Sequence, residues 1–521
     1  MKRFVFVAFI TSGVLFGHGV GFAEERIIEE IVVTATKREQ SIQDVPIAVT
    51  AILGEDLRAR GVQDLQDLQN VAASLSVYDS NSSSNGGTLR IRGVGTTGNN
   101  AGLEAAVGTF VDGIYRSRSG QAFTDLLDVE RVEILRGPQG TLFGKNTSAG
   151  VLHIITKEPE FEQSGHVSLS AGSLDTRRAD GSYTGALIDD ILAFRLSGSI
   201  NNRDGYYEDL DSSDEFAERD RWTIKGQLLW VPSDDLEARL IVDVSERNES
   251  CCPATFRSLG PTAPIIQALG GNPAISFNDD DVTVGTNFDP FENIDEYGVS
   301  LEVDWAINGW TLTSITGYRN FEAERGQDVD FTNADIYLPG NTEEKFENFS
   351  QELRLIGTTG DFDWLVGVYG YTEDLDNSGR FLELSSQGPE FFDLLLGGTG
   401  AVGRLLDVGD GLRGAFDQET DGWAIFTHNT WHATDRLDLT VGVRYSNEDK
   451  DGSSVINGTG GTDQVVNNWP CANLAIPTFC NNAGFDSSTD EEEFTGTVSA
   501  AYQIFENTNA YASYSRGYKT G

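Results

Sequence analysis

From His166 to the end of the chain, apolar and polar residues alternate in segments of about ten residues. Trp222, Ile224, Gly226, Leu228 and Trp230 make one set; Leu236, Ala238, Leu240, Val242 and Val244 make a second; Tyr297, Val299, Leu301, Val303 and Trp305 make a third. Successive side chains of a strand point to opposite faces, so each set lines one side of a sheet. The links between segments alternate as well. Short ones at 188–190, 232–235, 308–309, 357–361, 433–436 and 505–508 interleave with long ones at about 204–220, 249–294, 326–344, 376–420 and 450–490. A sandwich in water has no reason to keep its short turns at one end. A barrel threaded through a membrane does, because one rim carries tight turns and the other long loops. The pattern predicts a transmembrane antiparallel β-barrel. Tryptophans at segment ends (Trp222, Trp230, Trp305, Trp310, Trp364, Trp423, Trp431) suit its interfacial girdles.

Composition agrees. Only every second residue of a barrel strand meets lipid, so mean hydropathy stays low, here −0.28, while 29 Phe, 15 Tyr and 8 Trp supply aromatic surface. A net charge of −44 over 521 residues excludes nucleic acid as a partner. A secreted acidic glycan-binding β-protein fits the composition but leaves the alternating links unexplained. Residues 1–23 have the parts of a secretory signal peptide: Lys2 and Arg3, an apolar run from Phe4 to Phe16, and small Gly21 and Ala23 at the cleavage site. No other stretch is long and apolar enough for a helical span.

Past the leader, Glu29-Glu30-Ile31-Val32-Val33-Thr34-Ala35 is a short β-branched strand with no turn signal to fold it back on a neighbour. It suits addition to another protein's sheet edge, and reads equally as the first strand of an ordinary domain. A charged linker, 37–44, precedes a helix expected over 54–70, with Leu57, Gly61, Leu65 and Leu68 at helical spacing. Three blocks come next: LRIRGVG at 89–95, VGTFVDGIY at 107–115 and VERVEILRGPQGTLFG at 129–144, the last leading into SAGVLHIITK at 148–157. Asp112-Gly113 between apolar residues predicts a hairpin turn. Val132, Ile134 and Arg136 alternate with Glu133 and Leu135, which predicts a strand. Taken alone, these blocks make a compact α/β domain with glycine turns.

Together, over about residues 28–158, they resemble the plug domain of TonB-dependent outer-membrane receptors in order and spacing, and residues 29–35 resemble that family's TonB box. The resemblance implies a signal peptide (1–23), a periplasmic segment carrying the box (24–39), an α/β plug (40–160) and a β-barrel (161–521). It implies the outer membrane of a Gram-negative bacterium and its lipid as surroundings. The implied partner is TonB, with its inner-membrane energising complex. The implied function is energised uptake of a scarce nutrient, most often a ferric siderophore or other iron complex; cobalamin, haem and saccharides are alternative cargoes. A passive porin would lack residues 28–158, and a signalling receptor would carry a further domain where only residues 24–28 stand. No nucleophile–base set, metal-ligand cluster or cofactor motif appears, so neither an enzyme nor a cofactor is expected. About thirteen strands are counted against the roughly twenty-two the resemblance implies. The last, at 511–518, leaves an open edge that lipid does not tolerate, so the sequence is expected to be part of a longer chain.

In that family, plug arginines can pair with barrel glutamates. Arg92 and Arg136 match the positions, and Glu352, in the strand at 349–355, is the candidate partner; the same arginines can equally bind local carbonyls. The four cysteines, Cys251, Cys252, Cys471 and Cys480, allow three connectivities. Cys471–Cys480 is the easy local pair, whereas a vicinal Cys251–Cys252 bond is strained and leaves each to find another partner. His428 and His432 have the spacing of a metal pair but fall near a short turn, and read as wall or interface residues. The long loops hold many acids and aromatics, such as Asp279, Asp280, Asp281, Phe391 and Phe392, and the charges form either a solvated surface or a mouth that disfavours strongly anionic ligands.

Overall fold

The computed structural model describes residues 31–520 apart from 80–83, 85–86, 99, 123–124, 274, 276–281, 401–402, 404–405, 460–482 and 506–507. The expected leader, Glu29, Glu30, Asp279, Asp280, Asp281, Cys471 and Cys480 lie outside the described residues.

Val32–Val33 (β1) pairs antiparallel with Gln40–Ser41 (β2). Then come Val49–Leu53 (β3), helix Gly54–Ala59 (α1), Leu75–Asp79 (β4), Gly87–Ile91 (β5), Val107–Val111 (β6), Ile114–Arg116 (β7), Val129–Arg136 (β8) and Gly150–Thr156 (β9). The central sheet has the order β3-β8-β9-β6-β7, with β6 and β9 parallel and the other pairs antiparallel. Strands β4 and β5 form a separate hairpin. Leu57, Leu68, Ile91, Val132, Ile134 and Leu152 fill the core between these layers.

The helix expected over 54–70 is broken. It stops at Ala59 because Gly61 turns left-handed (φ +70°), its N–H bonding the Arg58 carbonyl and that of Val62 the Leu57 carbonyl. This is a Schellman cap, a stop signal hidden in a position that helical spacing alone reads as part of the apolar stripe. A short 3₁₀ turn, Gln66–Asn70, then carries Leu68 back to the core. The expected turn at Asp112-Gly113 does join β6 to β7. Both residues are left-handed (φ +48° and +79°), the conformation that a type I′ hairpin requires.

From Ser164 a second sheet wraps this inner domain. Among the described residues its path runs through thirteen strands in sequence order: Ser164–Ala171, Arg177–Ile188, Leu192–Arg203, Arg219–Ser233, Leu236–Glu249, Phe291–Ile307, Trp310–Gln327, Gly340–Thr359, Phe362–Leu384, Gly411–Thr434, Leu437–Thr459, Ala483–Phe505 and Thr508–Arg516. Each pairs antiparallel with the next. The short links fall at one rim and the long ones at the other. Strands are longer than the ten-residue apolar segments: Phe362–Leu384 and Gly411–Thr434 run well into what the sequence presents as loop, because polar residues above the apolar band still complete the ladder.

The two faces of this wall differ as lipid and interior require. Val242, Val299, Val366, Ile425 and Val441 point outward and are exposed, while Arg195, Ser197, Gln227, Arg239 and Arg319 point inward and are buried. Trp230, Trp305, Trp310, Trp364 and Trp431 all lie beside short turns, and Trp310 and Trp364 meet edge to face at 5.5 Å. No helix among the described residues is long and apolar enough to cross a membrane.

The long-loop rim adds one feature and corrects one expectation. Phe391 and Phe392 lie on a short helix, Gly388–Leu395, and are buried against Ile266, Ala334, Ile336 and Leu384, forming a small core within the loops. Cys251 and Cys252 are bonded to each other, the vicinal pairing that strain argued against. Cys252 takes a left-handed backbone (φ +63°), both cysteines are buried, and Cys251 lies beside the Phe291 carbonyl.

Candidate functional site at the plug–wall interface

The N-terminal strand is folded inward. Val33 and Ala35 are fully buried in a cluster with Phe110, Leu135, Phe143, Leu365 and Phe426, so inner domain and wall both cover them. The expected lack of a partner is therefore not met. A turn at 34–37, closed by a Lys37 N–H bond to the Thr34 carbonyl at 2.9 Å, returns the chain so that β1 can pair with β2. Lys37 makes that turn with a left-handed backbone (φ +60°), which sequence reading placed in a linker.

Polar contacts fix the same segment from two sides. The Thr34 N–H donates to Glu133 Oε1 at 2.9 Å, and Glu133 also accepts from Arg131 Nε at 2.8 Å. Lys37 Nζ lies 3.8 Å from Glu352 on the wall, and 4.7 Å above the Phe143 ring. Burial pushes the Lys37 ammonium below its ordinary value; Glu352 opposes that shift, while Arg354 and Arg444 reinforce it. Beside it, Arg38 pairs with Asp363 of the wall at 3.3 Å.

Further ion pairs join the inner domain to the wall, and their polarity is divided. Acids of the inner domain meet bases on the strands between 177 and 249: Asp64 with Arg219 (2.8 Å), Asp125 with Arg178 (3.4 Å), Asp128 with Arg195 (2.5 Å) and Asp112 with Lys225 (3.7 Å). Bases of the inner domain meet acids on the strands between 291 and 459: Arg116 with Glu296 (3.2 Å), Arg118 with Glu373 (3.8 Å) and Lys145 with Glu448 (2.8 Å). Glu104, paired with Lys450 at 3.2 Å, is the reverse case. Such a division allows one rotational setting and penalises others through like-charge contact. Burial works to raise the carboxyls of Glu104, Asp112 and Asp128. Lys145, Lys225 with Arg239, and Arg195 respectively overcome it and hold all three below the usual carboxylate range.

The predicted lock is arranged differently from its sequence form. Glu352 is on the wall facing inward, but its partners are Lys37 and, at 2.9 Å, Arg354. Arg136 donates to the carbonyls of Ala48 and Val49 at 3.2 and 3.3 Å, the local alternative. Arg92 is exposed, and with Arg136 it borders a cavity of about 640 Å³ on the short-turn side. His428 lines that cavity too, while His432 bonds Asp438 at 2.7 Å and Asp363 at 3.2 Å. Sequence reading missed Asp112, Asp125, Asp128, Lys37 and Glu133. A signal existed for two of them: Arg131 and Glu133 interrupt an otherwise apolar buried strand, and Asp112 occupies a turn that asparagine would serve as well.

A plug-like α/β domain seated by ion pairs inside a β-wall with an apolar outer band defines the outer-membrane receptor class. The chain belongs to the TonB-dependent receptor family: residues 41–151 match the TonB-dependent Receptor Plug Domain, and residues 253–521 match the TonB dependent receptor-like β-barrel. Among curated relatives, the pesticin receptor of Yersinia pestis is 23% identical over 94% of this chain and 63% of its own length. The ferrioxamine receptor of Yersinia enterocolitica is 28% identical over 42% of this chain and 30% of its own. Among solved structures, the ferric yersiniabactin uptake receptor of Yersinia pestis superposes with a TM-score of 0.72 at 20% identity, covering 91% of this chain and 65% of that one. The chain thus spans less than two thirds of the length of these relatives.

Proposed function

We propose that this chain belongs to a receptor that takes up a ferric siderophore or other iron complex across the outer membrane, driven by TonB acting on residues 29–35. The observation that carries the reading is the docked N-terminal strand. A short β-branched segment is held at the short-turn side by burial of Val33 and Ala35, by the Thr34–Glu133 bonds, by a two-residue ladder and by the adjoining Lys37–Glu352 and Arg38–Asp363 pairs, all outside the central sheet's own ladder and so exchangeable without unfolding the plug. Once released, its backbone is free to add to a partner's sheet edge. Ligand enters from the long-loop side, and movement of the plug there shifts the balance between docked and released strand. The plug's ion pairs suit a domain that must be seated firmly yet move, because a buried pair adds little net stability while fixing geometry.

The iron assignment draws on the relatives' cargoes; cobalamin, haem or saccharide remains the alternative within the same class. Growth of a strain deleted for the full-length gene, on a panel of iron complexes and other nutrients, decides between them. Loss of growth on one iron chelate, restored by the gene, supports the reading. Unaltered growth on every iron source with loss on another nutrient refutes the iron assignment.

A further inference from the structure

Glu133 is fully buried in β8, on the face toward the N-terminal strand. A carboxylate there carries a cost unless it is compensated. Three donors converge on Oε1: Arg131 Nε at 2.8 Å, the Thr34 N–H at 2.9 Å and the Thr34 hydroxyl at 3.3 Å. Among the described residues Oε2 has no partner. One donor therefore belongs to the plug and two to the N-terminal strand, and the plug's donor stays when the strand leaves.

We propose that Glu133 is the positioning residue through which the plug holds the box closed. The proposal rests on the reading of residues 29–35 as the box. The Thr34 N–H bond fixes the register of β1 against the plug, which sets Val33 and Ala35 into their apolar pocket. On release, Arg131 keeps the carboxylate paired while water replaces Thr34, so the open state leaves no orphaned charge and the switch is reversible. Because β8 lies between β3 and β9 in the central sheet, the acceptor moves with that sheet, and a shift of the sheet relative to the N-terminal strand alters the Thr34 bond.

The test is hydrogen exchange on the full-length receptor in lipid nanodiscs without ligand, comparing wild type with E133Q, E133L and T34P. E133Q keeps an acceptor oxygen and should change exchange over 31–36 little. E133L removes the acceptor and should raise it at least tenfold, with 150–156 still protected as evidence that the plug is folded. T34P removes the donor from the box side and should expose the segment to a similar extent without touching β8. Wild-type protection over 31–36 in either E133L, with its plug folded, or T34P overturns the proposal. Exchange reports docking alone, so its outcome is separable from whether TonB-driven uptake uses this segment.

Discussion

Replacing Glu352 with glutamine should release the N-terminal segment without ligand. In the docked state Lys37 is buried, with its ammonium 3.8 Å from the Glu352 carboxylate. At that distance the attraction is about 4 kcal/mol for an effective dielectric of about 20. Glutamine preserves shape but leaves Lys37 facing Arg354 and Arg444 with only the weaker attraction of Glu302 to set against them. Orphaning one member of a buried pair costs about 3–5 kcal/mol. Lys37 has an exit, since leaving with the strand restores its hydration, so the net shift toward release is about 3 kcal/mol, or about two orders of magnitude. Trypsin reads this directly, because Lys37 and Arg38 are cleavable only when the segment is out. When opening is fast relative to cleavage, the rate tracks the open population. Cleavage at 37–38 of the full-length receptor in detergent should rise about a hundredfold in E352Q. It should fall back to within about tenfold of wild type in the double variant K37M/E352Q, which removes the stranded charge and still offers Arg38. Equal rates in E352Q and wild type would refute the electrostatic reasoning.

Two further outcomes concern the seating of the plug. Asp128 accepts from both ends of Arg195 at 2.5 and 2.8 Å, and from Ser197 at 2.5 Å. D128N keeps a residue tolerant of its left-handed backbone but strands Arg195, so it should weaken docking by about 3–5 kcal/mol. The urea midpoint for plug release should fall while that for the wall stays put. The pH dependence follows from depressed carboxyls. Glu104, Asp112 and Asp128 titrate below their ordinary values when docked, so their contribution is complete above those values and is lost as pH falls through the depressed ones. Plug release should therefore become easier as pH falls below about 4; a urea midpoint that does not fall there would contradict the assignment.

What could be read from the sequence was what repeats locally. Alternation along Trp222–Trp230 and the short links at 308–309 follow from the two-residue period of a strand and from tight turns, and the structure has both. Asp112-Gly113 was legible as a turn because left-handed backbone has a residue signature. Pairings across the interface were not legible. Val33 meets Leu135, Phe143 and Leu365, residues from three distant segments, and no local pattern encodes that. Lys37 reads as linker because its ion-pair partner, Glu352, is over three hundred positions away. Arg136 matched a motif, but its partners are backbone carbonyls, which have no sequence signature. The vicinal disulfide includes one left-handed cysteine and could not be inferred from spacing.

The proposed role of residues 29–35 is that of the handle through which energy enters. It is tested most directly by deleting them from the full-length receptor and measuring, on whole cells, ligand binding and energised uptake side by side. Binding is expected at the wild-type level with uptake reduced to that of a TonB-deficient strain; uptake at the wild-type rate in the deletion would refute that role.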